Sequence, residues 1–251
     1  MPVENDYMCI NCGHHVKELY REYSPTVLKL SSCNACNMVV DKYIEYDPII
    51  IIIDLVLLNR EAYRHVLFNT DYTFHWKLLV ILEFMEAYWE LSFNTKLRSA
   101  LNAKTILLDK FYTGDLEYYR TLFQVVCSNA FFFLAIYCFT LFMELRSTSC
   151  NKQQSFNAHF FKRLFNQVMK FITLSSFGIF LFLPSLIWEK FGTEEYHFLF
   201  VIIYTALSQL VAYTVFCKCS KTWSIFVILC AYGIKIKASS LCKLIFGLYN
   251  L

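Results

Sequence analysis

Two cysteine pairs lie near the start of the chain. Cys9 and Cys12 form the first, Cys33 and Cys36 the second, with twenty residues between them. Two thiolates spaced two residues apart can hold one side of a tetrahedral ion, and a second such pair closes the other side. Four sulfur ligands leave no open coordination position, so the chemistry implied is structural zinc and not metal catalysis. Gly13 follows the first pair and Asn37 the second. Both tolerate the left-handed backbone that turns N–H groups toward sulfur. The competing readings are two disulfides or four free thiols. His14 and His15 are alternative ligands that a complete sulfur shell does not need.

The elements around this cluster follow from composition and patterning. The 251 residues are 57% apolar and 18% aromatic, above the roughly 45–50% apolar content of soluble domains. That excess points to an integral membrane protein. Charged residues make up 17% and the net charge is +3, which gives no basis for nucleic-acid binding. Residues 1–30 are polar, so no secretory signal is expected and the cysteine module is expected in the cytosol, where thiols stay reduced. The fold class implied is a mainly α membrane protein. A zinc-ribbon-like module occupies 1–38, and a helical transmembrane bundle follows.

Between module and bundle, residues 39–70 read as a connecting unit. Val39 to Tyr46 alternates apolar and polar residues, which predicts a short strand. Asp47 and Pro48 form a helix start, a capping carboxylate before a proline at the first helical position. The run from Ile49 to Leu58 is apolar on nearly all sides for about 15 Å of helix. That is half of a bilayer core of about 30 Å, so the helix is amphipathic, re-entrant or packed on the cysteine module.

Residues 71–251 form the membrane domain. Segments 122–143, 168–188 and 197–217 are long and apolar enough to span. Segments 72–93 and 223–248 are two further candidates, the second either a half-helix, a broken span or a surface helix. Basic residues in 144–167 and acidic ones in 189–196 place the first loop in the cytosol and the second in the lumen. With a cytosolic cysteine module this parity requires 72–93 to cross. It also puts the 94–121 loop in the lumen against the rule, with five basic residues and three acids.

Two more groups of residues invite a functional reading. Tyr43, Glu45 and Tyr46 offer a lipid-headgroup or partner contact, or simply join module to helix with Asp47 as a cap. Glu83, Glu86 and Glu90 fall on one helical face near His75. A carboxylate at the bilayer centre costs roughly 2.5–3.5 kcal/mol. The stripe therefore either lies in the interface or faces other helices as a polar path. Lys235, Lys237 and Lys243 read as a boundary that attracts anionic headgroups at the membrane surface.

The first seventy residues carry a resemblance. Cys9 through Gly13, the stretch 23–30, Cys33 through Cys36, the stretch from Val40 to Pro48, then 53–59 and 62–69 together resemble the homology domain of the Arv family. The likeness is specific over about residues 7–70 and rests on general layout beyond. It implies an endoplasmic-reticulum membrane protein, with Golgi as a further location. It also implies roles in sterol distribution, sphingolipid homeostasis and glycosylphosphatidylinositol (GPI) anchor synthesis.

The expectation is thus a lipid-homeostasis protein that moves or distributes sterol, partnered by membrane lipids: sterol, sphingolipid or a GPI precursor. The alternative is a non-catalytic subunit or scaffold that partners GPI-anchor transferase subunits. No nucleophile–base pair, open metal site or phosphate loop stands in the sequence, so no enzymatic activity is expected.

Overall fold

In the computed structural model, residues 7–24, 27–70, 75–101, 114–148, 158–183, 194–217 and 220–248 are described. The amino-terminal module is made of two small antiparallel pairs. Strand β1 (Tyr7–Met8) pairs with β2 (His15–Val16), and β3 (Tyr20–Ser24) pairs with β4 (Val27–Leu30). Its core is small: Cys9, Leu19, Cys33 and Val40. Strands this short are not stable alone in water. The module closes at Val40, whose N–H donates to Ser31 and whose carbonyl accepts from Ile10, both at about 3 Å.

The strand expected over Val39 to Tyr46 does not form. Val39 makes a single bridge to Ser32, and the chain then folds into a 3₁₀ turn, Lys42–Glu45. The reason is local. The Asp41 carboxylate accepts from the Tyr43 N–H at 3.0 Å and caps that turn. Val40 and Tyr43, both 1% exposed, are buried at a spacing of three and not two. Apolar residues spaced this way fit a turn as well as a loosely alternating strand.

Helix α1 (Pro48–Val56) starts as the sequence predicts, with Asp47 accepting from the Ile49 N–H at 2.9 Å. Helix α2 (Arg60–Arg64) is capped by Asn59 and runs into a π-helical turn, His65–Asn69. The two helices form a hairpin set against the bundle. The Tyr204 hydroxyl donates to the Val56 carbonyl at 2.7 Å, and the Tyr63 and Ser208 hydroxyls bond at 2.7 Å.

The bundle comprises α3 (His75–Leu101), α4 (Gly114–Thr148), α5 (Ala158–Ser175), α6 (Glu194–Cys217) and α7 (Lys221–Leu248). A 3₁₀ stretch, Ser176–Phe182, continues α5. Among the described residues, four segments are long and apolar enough to cross a membrane: Leu116–Arg146, Phe160–Phe182, Leu199–Cys217 and Lys221–Ile245. Helix α3 is not among them. Where the sequence suggested a span over 168–188, the apolar helix begins at Phe160, and the residues from Pro184 to 188 lie outside the described residues. The last candidate is one unbroken helix, not a half-helix. Phe132, Ile136, Val168, Phe171, Tyr213 and Val227 lie in the common core.

One glycine fixes how closely two of these elements approach. A Cβ on Gly178 would sit 2.5 Å from Thr205 Oγ1, 2.8 Å from a Tyr204 ring carbon and 3.2 Å from the Thr205 backbone. Small residues at such crossings let membrane helices pack. Gly178→Ala is expected to cost about 1–3 kcal/mol by overpacking, read as a lower thermal midpoint in detergent. Gly233→Ala, where nothing lies within 4 Å of the added carbon, should change little.

Candidate metal centre and membrane cavity

The two cysteine knuckles adopt the same local fold. Gly13 donates its N–H to the Cys9 carbonyl at 2.9 Å, and Asn37 donates to the Cys33 carbonyl at 2.8 Å. Both closing residues have positive φ, +77° and +58°. These turns bring all four sulfurs within 4.8 Å of one another. The two cross-knuckle separations are 3.8 Å, Cys9 to Cys36, and 3.7 Å, Cys12 to Cys33. A tetrahedral ion with metal–sulfur bonds of about 2.3 Å needs sulfur–sulfur edges of about 3.8 Å. A disulfide needs about 2.05 Å. The four positions therefore fit a tetrahedral thiophilic metal and not two disulfides. The Ala35 N–H, donated to sulfur, pulls the Cys33 thiol below the usual cysteine range, while burial pushes that of Cys12 up. His14 and His15 lie outside this group and are exposed.

A second cluster joins the metal knuckle to the helices. Asp41 is fully buried, and its Oδ2 lies 2.7 Å from both His65 Nδ1 and Asn69 Nδ2. Asn69 in turn accepts from the Met8 N–H at 2.9 Å and donates to the Met8 carbonyl at 2.8 Å, next to Cys9. Arg64 Nη1 donates to the carbonyls of Ile10 and Asn11, inside the first knuckle. Among the described residues, no buried side-chain nitrogen or oxygen of this network lacks a partner, which is what a buried polar group requires.

Tyr43, Glu45 and Tyr46 do not converge on one site. Tyr43 is buried, donates to Asp54 at 2.7 Å and packs between Ile10 and Ala62. Burial pushes its hydroxyl well above the usual tyrosine range. Glu45 and Tyr46 are exposed, with the Tyr46 ring edge-on to Tyr43.

The acidic stripe does face other helices. Asn129 on α4 donates to Glu83 at 3.0 Å and to Glu86 at 2.7 Å. Lys235 on α7 pairs with Glu86 at 2.5 Å, and Lys243 with Glu90 at 3.2 Å. Gln124 donates to Glu90 at 2.8 Å. These groups line one part of a cavity of about 790 Å³, reached by residues of α3, α4, α5, α6 and α7. Lys235 thus turns into the bundle, whereas Lys243 pairs with Glu90 and keeps a side chain 52% exposed, and Lys237 is exposed. The side chain of His75 lies outside the described residues.

Comparison with known proteins decides the family. The model of the Arv1-like family matches residues 8–212, from the metal knuckle to well inside α6. The chain belongs to the Arv1-like family. It is 36% identical over 187 residues to "Protein ARV1" of Homo sapiens, a match covering 73% of this chain and 62% of that protein. It is 29% identical over 236 residues to "Protein arv1 homolog" of Dictyostelium discoideum, covering 88% and 89%. It is 48% identical over 61 residues to "Protein ARV 2" of Arabidopsis thaliana, covering 24% and 27%. The chain thus spans less than two thirds of the length of its human relative. No solved structure matches it.

The Arv1-like match takes in the buried carboxylate network, which sequence reading passed over. Asp41 falls in the segment expected to be a strand, and His65 and Asn69 fall in the stretch 62–69, with no spacing that pairs them. Their signal was type alone: an acid, a histidine and an amide inside the stretch that carried the resemblance. The pairing of Glu86 with Lys235, 149 residues apart, left no trace in local pattern.

Proposed function

We propose that this Arv1-like chain is a non-enzymatic lipid-homeostasis protein of the endoplasmic-reticulum membrane. On this reading it binds sterol within the bundle and aids its redistribution between membranes, with effects on sphingolipids. A structural Zn²⁺ held by Cys9, Cys12, Cys33 and Cys36 shapes a cytosolic module, which the Asp41 network and Arg64 lock to the helices. The observation that carries the reading is the cavity: about 790 Å³, among helices that are apolar enough to span. Its walls are largely aliphatic and aromatic, including Leu79, Phe133, Ile172 and Phe182, and its charged groups are three carboxylates of α3 facing two lysines of α7. A lipid needs that combination of a dry body and a wet end.

The test uses the full chain reconstituted in liposomes that carry a fluorescent sterol. Sterol should bind saturably and pass to acceptor vesicles faster than with empty liposomes. No sterol binding, with zinc retained, overturns sterol as the lipid, and no binding of any lipid overturns the reading.

A second reading has its own support. Ile49 and Ile53 on α1 and Leu57 just after it are 64%, 52% and 71% exposed, an apolar face open to a protein or to lipid. On this reading the chain is a scaffold for GPI-anchor transferase subunits. Affinity capture in mild detergent separates the two. Stoichiometric recovery of transferase subunits supports the scaffold, and recovery of the chain with lipid alone supports lipid handling.

A further inference from the structure

The membrane cavity has an uneven balance of charge. Three carboxylates face it from α3, but only two ammonium groups face it from α7. Lys235 is taken by Glu86 and Lys243 by Glu90. Glu83 keeps one hydrogen bond, from the Asn129 amide, and has no cation within salt-bridge distance among the described residues. An unpaired carboxylate away from water is costly, and either protonation or a bound cation relieves it.

A second group points to the same kind of ligand. Gln209, on α6, also lines the cavity and is only 6% exposed. Its Oε1 has no hydrogen-bond partner among the described residues. Buried acceptors of this kind are uncommon and call for a donor. The cavity therefore offers a carboxylate that wants a positive charge and a carbonyl that wants an N–H or O–H. An anionic phosphate headgroup would meet the excess negative charge. A sterol brings one hydroxyl and no charge, which leaves Glu83 unmatched.

We infer that this cavity is a binding site for a lipid whose headgroup carries a protonated amine beside hydroxyl groups: a long-chain amino alcohol. The ammonium sits against Glu83, within reach of the Asn129 side chain. A hydroxyl donates to Gln209 Oε1. The hydrocarbon chain lies among Leu79, Phe132, Ile172 and Phe182. A cavity of this size holds one such molecule, within the roughly 300–1,000 Å³ of small-ligand sites. The inference rests on the lipid-handling reading and puts an amino alcohol in place of sterol as the lipid held in the cavity.

Trp89 lines the cavity and supplies the readout. The full chain in phosphatidylcholine nanodiscs is titrated with a long-chain amino diol bearing a brominated tail, and tryptophan quenching is followed. Trp89→Phe identifies the part of the signal that comes from the cavity. The matching triol, brominated cholesterol and brominated phosphatidic acid are titrated in parallel. The amino diol should bind about tenfold tighter than the triol, the value of one charge-assisted contact. Glu83→Gln should bring the two within about twofold. Should Glu83→Gln fail to fold, Gln209→Leu serves, and both compounds should weaken by about fivefold.

Equal binding of amino diol and triol to the wild type overturns the inference. So does a tenfold preference that survives Glu83→Gln, or unchanged binding in Gln209→Leu. Quenching by cholesterol with none by the amino diol removes this inference and leaves lipid handling intact. Quenching by no lipid removes both.

Discussion

Cys33→Ser is expected to strip the metal from the chain and unfold the amino-terminal module, while the helical bundle stays folded. Cys33 is 1% exposed, its sulfur lies 3.7 Å from that of Cys12, and the Ala35 N–H already favours its thiolate. Losing it leaves three sulfurs and a poor ligand. Structural zinc in small modules contributes an apparent 10–16 kcal/mol at neutral pH. Nothing else in the module can replace that, because its core is two cysteines, Leu19 and Val40 around strands of two to five residues. Zinc per chain by mass spectrometry should fall from stoichiometric to near zero, and the module should become sensitive to limited proteolysis. Cys127→Ser, on α4, should keep its zinc. A Cys33→Ser protein with full zinc and an intact module would contradict the assignment of that ligand.

Asp41→Ala should cost about 3–5 kcal/mol, the scale of removing a buried carboxylate from several hydrogen-bond donors. The carboxylate is fully buried and serves three donors: the Tyr43 N–H, Asn69 Nδ2 and the His65 ring. Alanine leaves all three without an acceptor and opens a gap between knuckle and helix. Asp41→Asn keeps part of the acceptor capacity and should cost less. Lys42→Ala is the control. Its ion pair with Glu61 has both side chains about a third or more exposed, so the loss should stay below about 1 kcal/mol. Denaturant unfolding in detergent, monitored by proteolysis of the metal module, reads all three variants. A cost for Asp41→Ala no larger than that for Lys42→Ala would remove the network as the joint between module and bundle.

What could be read from the sequence was what depends on neighbours in sequence. The cysteine spacing, the positive φ of Gly13 and Asn37, the Asp47–Pro48 helix start and the long apolar helices all act within a few residues. The strand reading of Val39 to Tyr46 failed on a competition at the same short range. Loose alternation suggested extended chain, but the Asp41 side chain offers the Tyr43 N–H a closer acceptor and bends the backbone. The isoleucine run of α1 looked apolar all round. Ile51 and Leu55 pack inward while Ile49 and Ile53 stay exposed, a distinction that hydropathy cannot make.

The joint and the cavity were out of reach for another reason. Asp41 meets His65 across 24 residues and Asn69 meets Met8 across 61, while Lys235 meets Glu86 across 149. Helical period placed Glu83, Glu86 and Glu90 on one face, but the partner of a face is set by tertiary packing. The same stripe would suit water or Asn129 and two lysines. Only the fold separates those cases.

The central claim is a zinc ion held by four sulfurs at the head of a membrane bundle. Zinc K-edge X-ray absorption on the full chain, purified in detergent without added metal, tests it most directly. One zinc per chain with a shell of four sulfurs at about 2.3 Å is the expected spectrum. A metal-free protein, or a shell containing nitrogen or oxygen ligands, would contradict it.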